Sequence, residues 1–256
     1  MVALAAARPP RAAPAAAGLW YNAGMLQRVA GAAVCAALFW SVSVLGAARP
    51  AEGPQAQAEY DQAFLSAWAQ QPRATLAAPG PPAKIVVVKF NDWMCPGCKY
   101  AFEAFKPLLA KYAAIPGALK YLEKDWPWNT ACNTGTQQTF RGHEAACDAA
   151  AAVRLAADAG KRDAMIDWLF RNQEGMTPDR VKAHVVETLA IGAGAYPAAY
   201  ARKLLEIRKD VDEGLALHLN ATPTYYINGI KAAGGDGGTI PERYFELALK
   251  YEFERK

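Results

Sequence analysis

The residues best suited to chemistry are the four cysteines that follow the N-terminal region: Cys95, Cys98, Cys132 and Cys147. Two of them form Cys95-Pro96-Gly97-Cys98, which follows a β-branched run after Asn91-Asp92-Trp93-Met94. If a helix begins at Pro96, Cys95 lies at its N-terminus, where unpaired backbone N–H groups and the helix dipole favour a thiolate. Cys98 then lies one turn further in, within reach to close a disulfide or resolve a mixed one. The thiolate is the attacking species in thiol–disulfide exchange, so this placement marks Cys95 as nucleophile and good leaving group. The competing readings are half of a zinc site or a static disulfide. Zinc would require a second CxxC, or a Cys/His pair at short spacing. Cys132 and Cys147 are instead separated by fourteen residues, with only His143 nearby.

Cys132 and Cys147 read most simply as a structural disulfide, the alternative being a second redox relay. Neither opens a helix after a strand, which favours the bracing role. Closing a loop of this size would stabilise by on the order of 3 kcal/mol. In Ala221-Thr222-Pro223-Thr224, the proline opening a strand is either edge punctuation or a cis-proline facing the CxxC. In the second case the backbone of Thr222 would pair with an extended substrate peptide. Lys89 lies six residues before Cys95. A cation there would favour the thiolate, unless the side chain snorkels from the sheet end to solvent. His143, His184 and His218 show no nucleophile–base spacing and read as surface or capping residues. Trp126-Pro127-Trp128 reads as core packing or a loop anchor, with a substrate platform as the other possibility.

The elements that must hold these residues follow from periodicity. Residues 55–71 carry Tyr60, Phe64 and Trp68 at spacing four, predicting a helix with those rings on one face. The Pro/Gly-rich stretch 72–83 reads as a linker. Lys84–Phe90 predicts a buried central strand. After the CxxC, Phe102, Phe105, Leu109 and Tyr112 recur at helical spacing, with a kink expected at Pro107. Leu119–Lys124 predicts a second strand. From about 129 to 215 the pattern is helical, with an alanine-rich segment over 144–159 and an N-cap at Thr177 before Pro178. Residues 200–217 predict one or two further helices. Thr224–Ile227 returns to strand, Asn228-Gly229 signals a tight turn, and Pro241 opens a last helix over 242–254. The order predicts an α/β, thioredoxin-like fold with a helical insertion.

The net charge of +4 invites a nucleic-acid reading, but three of the 28 bases, Arg8, Arg11 and Arg28, lie in residues 1–48, which hold no acid. Without them the chain is within one charge of neutral against its 24 acids, and no electrostatic footprint for nucleic acid is left. Residues 29–48 are uncharged and follow Arg28, the pattern of a signal peptide or membrane anchor, with Gly46-Ala47-Ala48 offering a cleavage site. Met25 offers an alternative start. This divides the chain into a leader (1–48), an N-terminal helix and linker (49–83) and the main domain (84–256), with a periplasmic or otherwise extracytoplasmic location.

The stretch VVVKFNDWMCPGC, the pair Cys132/Cys147 in ACN…HEAAC and the stretch TPTYYING resemble the DsbA-like family of exported dithiol oxidoreductases. They are also similar to the thioredoxin-like domains found beside, or fused to, bacterial homologues of vitamin K epoxide reductase. The resemblance covers roughly residues 84–256. It implies Cys95 as the exposed nucleophile, Cys98 as the buried resolving thiol and Pro223 as the cis-proline. It further implies disulfide formation in cysteine-containing exported proteins, no bound cofactor, and reoxidation by a quinone-linked membrane partner of the DsbB or vitamin K epoxide reductase type. Two positions depart from the pattern: Gly97 stands where DsbA has a histidine, and Lys89 where thioredoxins and DsbA carry a buried acid. Reductase or isomerase activity is the nearest alternative; a non-catalytic binding module and a soft-metal chaperone are the others.

Overall fold

The computed structural model describes residues 53–233 and 239–255. The leader expected at 1–48, including its apolar run, lies outside the described residues.

β1 (Ile85–Asn91) is the centre of the fold because its side chains are buried on both faces. It pairs in parallel with β2 (Leu119–Asp125), the two joined by α2 (Pro96–Ala113). On its other side it pairs antiparallel with β3 (Thr224–Ile227), which turns through Asn228-Gly229 into β4 (Ile230–Ala232). The sheet order is therefore β2-β1-β3-β4. Both turn residues have positive φ, 47° and 84°, the requirement that an Asn-Gly pair meets most cheaply. α2 continues past Pro107 as one helix, although that proline has no N–H to donate to Glu103.

Alternation along β1 separates two cores. Ile85 and Val87 face α2, α7 (Glu242–Glu254) and α1 (Pro54–Ala69), where Phe105, Tyr225 and Phe245 form an aromatic cluster. Val88 and Phe90 face the helical insertion. Each fully buried aromatic or branched side chain contributes about 1.5–3 kcal/mol before entropy is counted. Of the ring stripe expected on α1, Trp68 is buried and donates to Glu252, whereas Tyr60 is exposed. The segment expected as a linker is tied to the β3–β4 turn, with Ala74 N–H bonded to Gly229 O.

The insertion comprises α3 (Ala146–Asp158), α4 (Arg162–Arg171), α5 (Pro178–Leu189) and α6 (Tyr196–Ala216). Its alanines bury α3 on nearly every side, and the small side chains let α4, α5 and α6 all pack against it. Thr177 caps α5 by accepting from Arg180 N–H, with Pro178 in the first turn. The region 200–217 lies within the single helix α6 and its C-cap, Leu217.

Candidate active site

Cys95 is the N-cap of α2, extended at φ −80° and ψ 122°, and Pro96 occupies the first turn. Its Sγ accepts from Cys98 N–H at 3.4 Å and lies 3.4 Å from Thr222 O. The Cys95 pKa is lowered to about 6. The main cause is a hydrogen bond from the Cys98 thiol. Burial opposes it, and the Cys98 N–H and Thr222 lower it further. Cys98 has the opposite character. It is wholly buried, and burial pushes its thiol well above the ordinary value, with Cys95 adding in the same direction. Its Sγ accepts from Asp92 N–H at 3.5 Å. The two sulfurs are thus an accessible thiol that ionises easily and a buried one that holds its proton.

The Thr222–Pro223 peptide is cis and lies against the CxxC. A Cβ added at Gly97 would be 3.6 Å from Pro223 Cδ and 3.7 Å from Cys95 Sγ, both ordinary contacts. Position 97 therefore faces the cysteine and the proline directly. Trp128 donates from Nε1 to Thr222 Oγ1 at 2.8 Å, so it anchors the proline loop, while neighbouring Trp126 is buried in the core.

Lys89 lies beneath Cys98. β1 alternation turns it to the α2 side, level with Glu123 and Tyr225 on the flanking strands. It has no exposed surface, so the snorkelling expectation does not describe it. Its Nζ is 3.4 Å from both Glu123 Oε1 and Cys98 O, and it lies over the Phe102 and Tyr225 rings at 5.8 Å. Its charge acts to lower the Cys98 pKa against burial. Glu123 is further held by Tyr121 and Arg162.

Cys132 and Cys147 are bonded to each other, with Cα atoms 5.9 Å apart. The loop they close carries His143, for which the expectation of an ordinary surface residue is corrected. His143 is half-buried, with Nδ1 2.7 Å from Asp92 Oδ2, because the loop folds back onto the end of β1. Asp92 itself is buried and also accepts from Met94 N–H and Trp128 N–H, both at 2.7 Å. Gln173, beyond α4, donates to Trp93 O and Cys95 O at 3.0 and 3.2 Å and fixes the active-site turn from the insertion. Neither Asp92 nor Gln173 carries a local motif that would single it out. His184 stacks on Trp168 at 3.8 Å and His218 ends α6; neither joins the site. Among the described residues, no group of three His, Cys, Asp or Glu side chains is arranged to hold a metal ion. None of the described helices is long and apolar enough to cross a membrane.

Comparison with known proteins adds three findings. The family model described as Thioredoxin matches residues 74–236. The chain is 28% identical over 160 residues to the Na(+)/H(+) antiporter NhaA 1 of Mycolicibacterium vanbaalenii, covering 59% of this chain and 23% of that protein. A protein of the same name from Mycobacterium sp. strain KMS gives the same identity, so the chain spans about a quarter of the length of the curated relatives it matches. Among solved structures, a thioredoxin-like oxidoreductase from Silicibacter pomeroyi DSS-3 superposes with a TM-score of 0.50 at 18% identity, covering 75% of this chain and 98% of that one. The oxidoreductase NmDsbA1 of Neisseria meningitidis gives a TM-score of 0.47 at 20% identity, over 73% and 92% of the respective chains.

Proposed function

Because this chain belongs to the thioredoxin family, we propose that it is a thiol–disulfide oxidoreductase that works outside the cytoplasm as a dithiol oxidase, through Cys95 and Cys98. The observation that carries the reading is the opposed character of the two thiols. Cys95 ionises near pH 6 at a helix start, and Cys98 is buried with its proton retained. A site that stabilises its own reduced thiolate is a ready acceptor of electrons.

In the oxidised protein a substrate thiolate attacks Cys95 Sγ. The Cys95–Cys98 bond breaks, its electron pair stays on Cys98, and Cys98 takes up a proton. The substrate is then held on Cys95 as a mixed disulfide. A second substrate thiolate attacks the substrate sulfur of that bond, forming the substrate disulfide and expelling Cys95 as a thiolate. Two electrons have passed from substrate to protein. The Thr222 carbonyl and cis-Pro223 lie against Cys95 and would receive the substrate backbone in extended form. Substrates are cysteine-containing exported proteins, and a quinone-linked membrane protein of the DsbB or vitamin K epoxide reductase type reoxidises the dithiol.

The test is a pair of variants, reduced at the active site and offered an unfolded substrate that carries a disulfide for Cys95 to attack, the other substrate sulfur leaving as a thiolate. Cys98→Ser accumulates substrate on Cys95 as a stable mixed disulfide, and Cys95→Ser captures none. Catalysis by Cys98→Ser at the wild-type rate would reject these roles.

A further inference from the structure

The Asp92 carboxylate lies three residues before Cys95 and is 1% exposed. Its charge opposes ionisation of Cys95, so the site contains a group working against its own nucleophile. Three donors surround that carboxylate: Met94 N–H, Trp128 N–H and the His143 ring, each at 2.7 Å. Two are backbone groups with fixed charge. Only the imidazole can add or lose a proton, and it comes from 51 residues away.

That imidazole is held in place. Cys132–Cys147 closes its loop, and Asn129 Nδ2 donates to His143 O and Glu144 O at 3.2 and 2.8 Å. The charged groups facing it are Asp92, Cys95 and Glu144. Glu144 also accepts from Gly142 N–H and has Arg141 nearby, and the Phe140 ring lies edge-on at 6.4 Å. Burial lowers the His143 pKa, but the hydrogen bond and charge of Asp92, then Cys95 and Glu144, raise it beyond 6.5.

We propose that Asp92 and His143 form a proton-linked positioning pair for Cys95. With a proton on His143 the pair is neutral and the thiolate is favoured. Without it, the pair is a buried anion that opposes the thiolate. The inference rests on Cys95 being the exchanging thiol. It gives the loop closed by Cys132–Cys147 a task beyond bracing, that of delivering a cation to a site whose position 97 has no side chain.

The test follows the ultraviolet absorbance of the thiolate against pH in the wild-type chain, His143→Gln and His143→Lys, each with Cys95–Cys98 reduced and Cys132–Cys147 intact. Removing the cation with Gln raises the Cys95 titration by about half to one unit. Lys, a cation that does not titrate in this range, keeps it near the wild-type value. In Cys95→Ser, the His143 ring followed by NMR titrates lower than in wild type, as reciprocal coupling requires. A Gln variant matching the wild type, equal rises in Gln and Lys, or an unmoved His143 in Cys95→Ser would each overturn the proposal. Should wild-type Cys95 itself titrate as an ordinary thiol, the exchange reading falls with it; a low wild-type value unmoved by His143→Gln sinks the pair alone.

Discussion

Removing one donor from Cys98 tests how Cys95 is activated. The Cys98 thiol makes the largest contribution to the low Cys95 pKa, and the Cys98 N–H makes a smaller one. Cys98→Ala deletes the first and keeps the second, whereas Cys98→Ser keeps a donor at nearly the same place. A hydrogen bond to a charged group contributes about 1.5–3 kcal/mol, or about one to two pKa units. Cys95 is partly open to water, so the lower end applies and Cys98→Ala titrates near about 7. Cys98→Ser stays close to the wild-type value of about 6. Thiolate absorbance is the assay of choice because alkylation rates blur the shift. At pH 6 the thiolate fraction falls about fivefold, but a more basic thiolate is intrinsically more nucleophilic, which offsets about half of the loss on a logarithmic scale. Coincident curves for Ala and Ser would refute the claim that the Cys98 donor activates Cys95.

Four further outcomes follow from the same geometry. Gly214→Ala drives a Cβ into the edge of the Trp126 ring and against Leu219, so it destabilises by about 1–2 kcal/mol in denaturant melts even though alanine favours helix by about 1 kcal/mol. The double variant Cys132→Ala/Cys147→Ala loses about 3 kcal/mol by the same measurement and raises the Cys95 titration by freeing the His143 loop. Thr222→Val leaves Trp128 Nε1 without its acceptor, which costs about 1–2 kcal/mol and slows exchange in a reduced-substrate assay. The Cys95 pKa is about 6 in the folded protein and 9.0 when unperturbed, so between these values the unfolded chain binds more protons. Stability of the reduced wild type relative to Cys95→Ser therefore rises with pH through that window, by on the order of 2 kcal/mol, and is lost as pH falls through 6.

The parts of the site legible in the sequence are those written in adjacent residues. Lys84–Phe90 declares a buried strand by composition, the CxxC begins after Asn91-Asp92-Trp93-Met94, and Asn228-Gly229 marks the hairpin beside Pro223. Contacts made by register or loop return leave no such trace. Lys89 left two readings open because its surroundings depend on Glu123, whose place opposite it is fixed only by the pairing of β1 with β2. His143 looked ordinary because its partner Asp92 is remote in sequence and lies in a stretch dominated by its neighbouring cysteines. Gln173 supports the turn through backbone carbonyls, which any sequence supplies. Tyr60 shared the helical spacing of Trp68, yet α7 covers only the Phe64–Trp68 end of that stripe, leaving Tyr60 in solvent.

The measurement that bears most directly on the oxidase reading is the reduction potential of Cys95–Cys98 in a glutathione redox buffer. The thiolate stabilised at Cys95 makes the disulfide oxidising, while Gly97 offers no side-chain donor and Asp92 works against the charge. The expected potential lies between those of thioredoxin and DsbA, about −270 and about −120 mV. A potential at or below thioredoxin's, with the pair found reduced in freshly isolated protein, would contradict it.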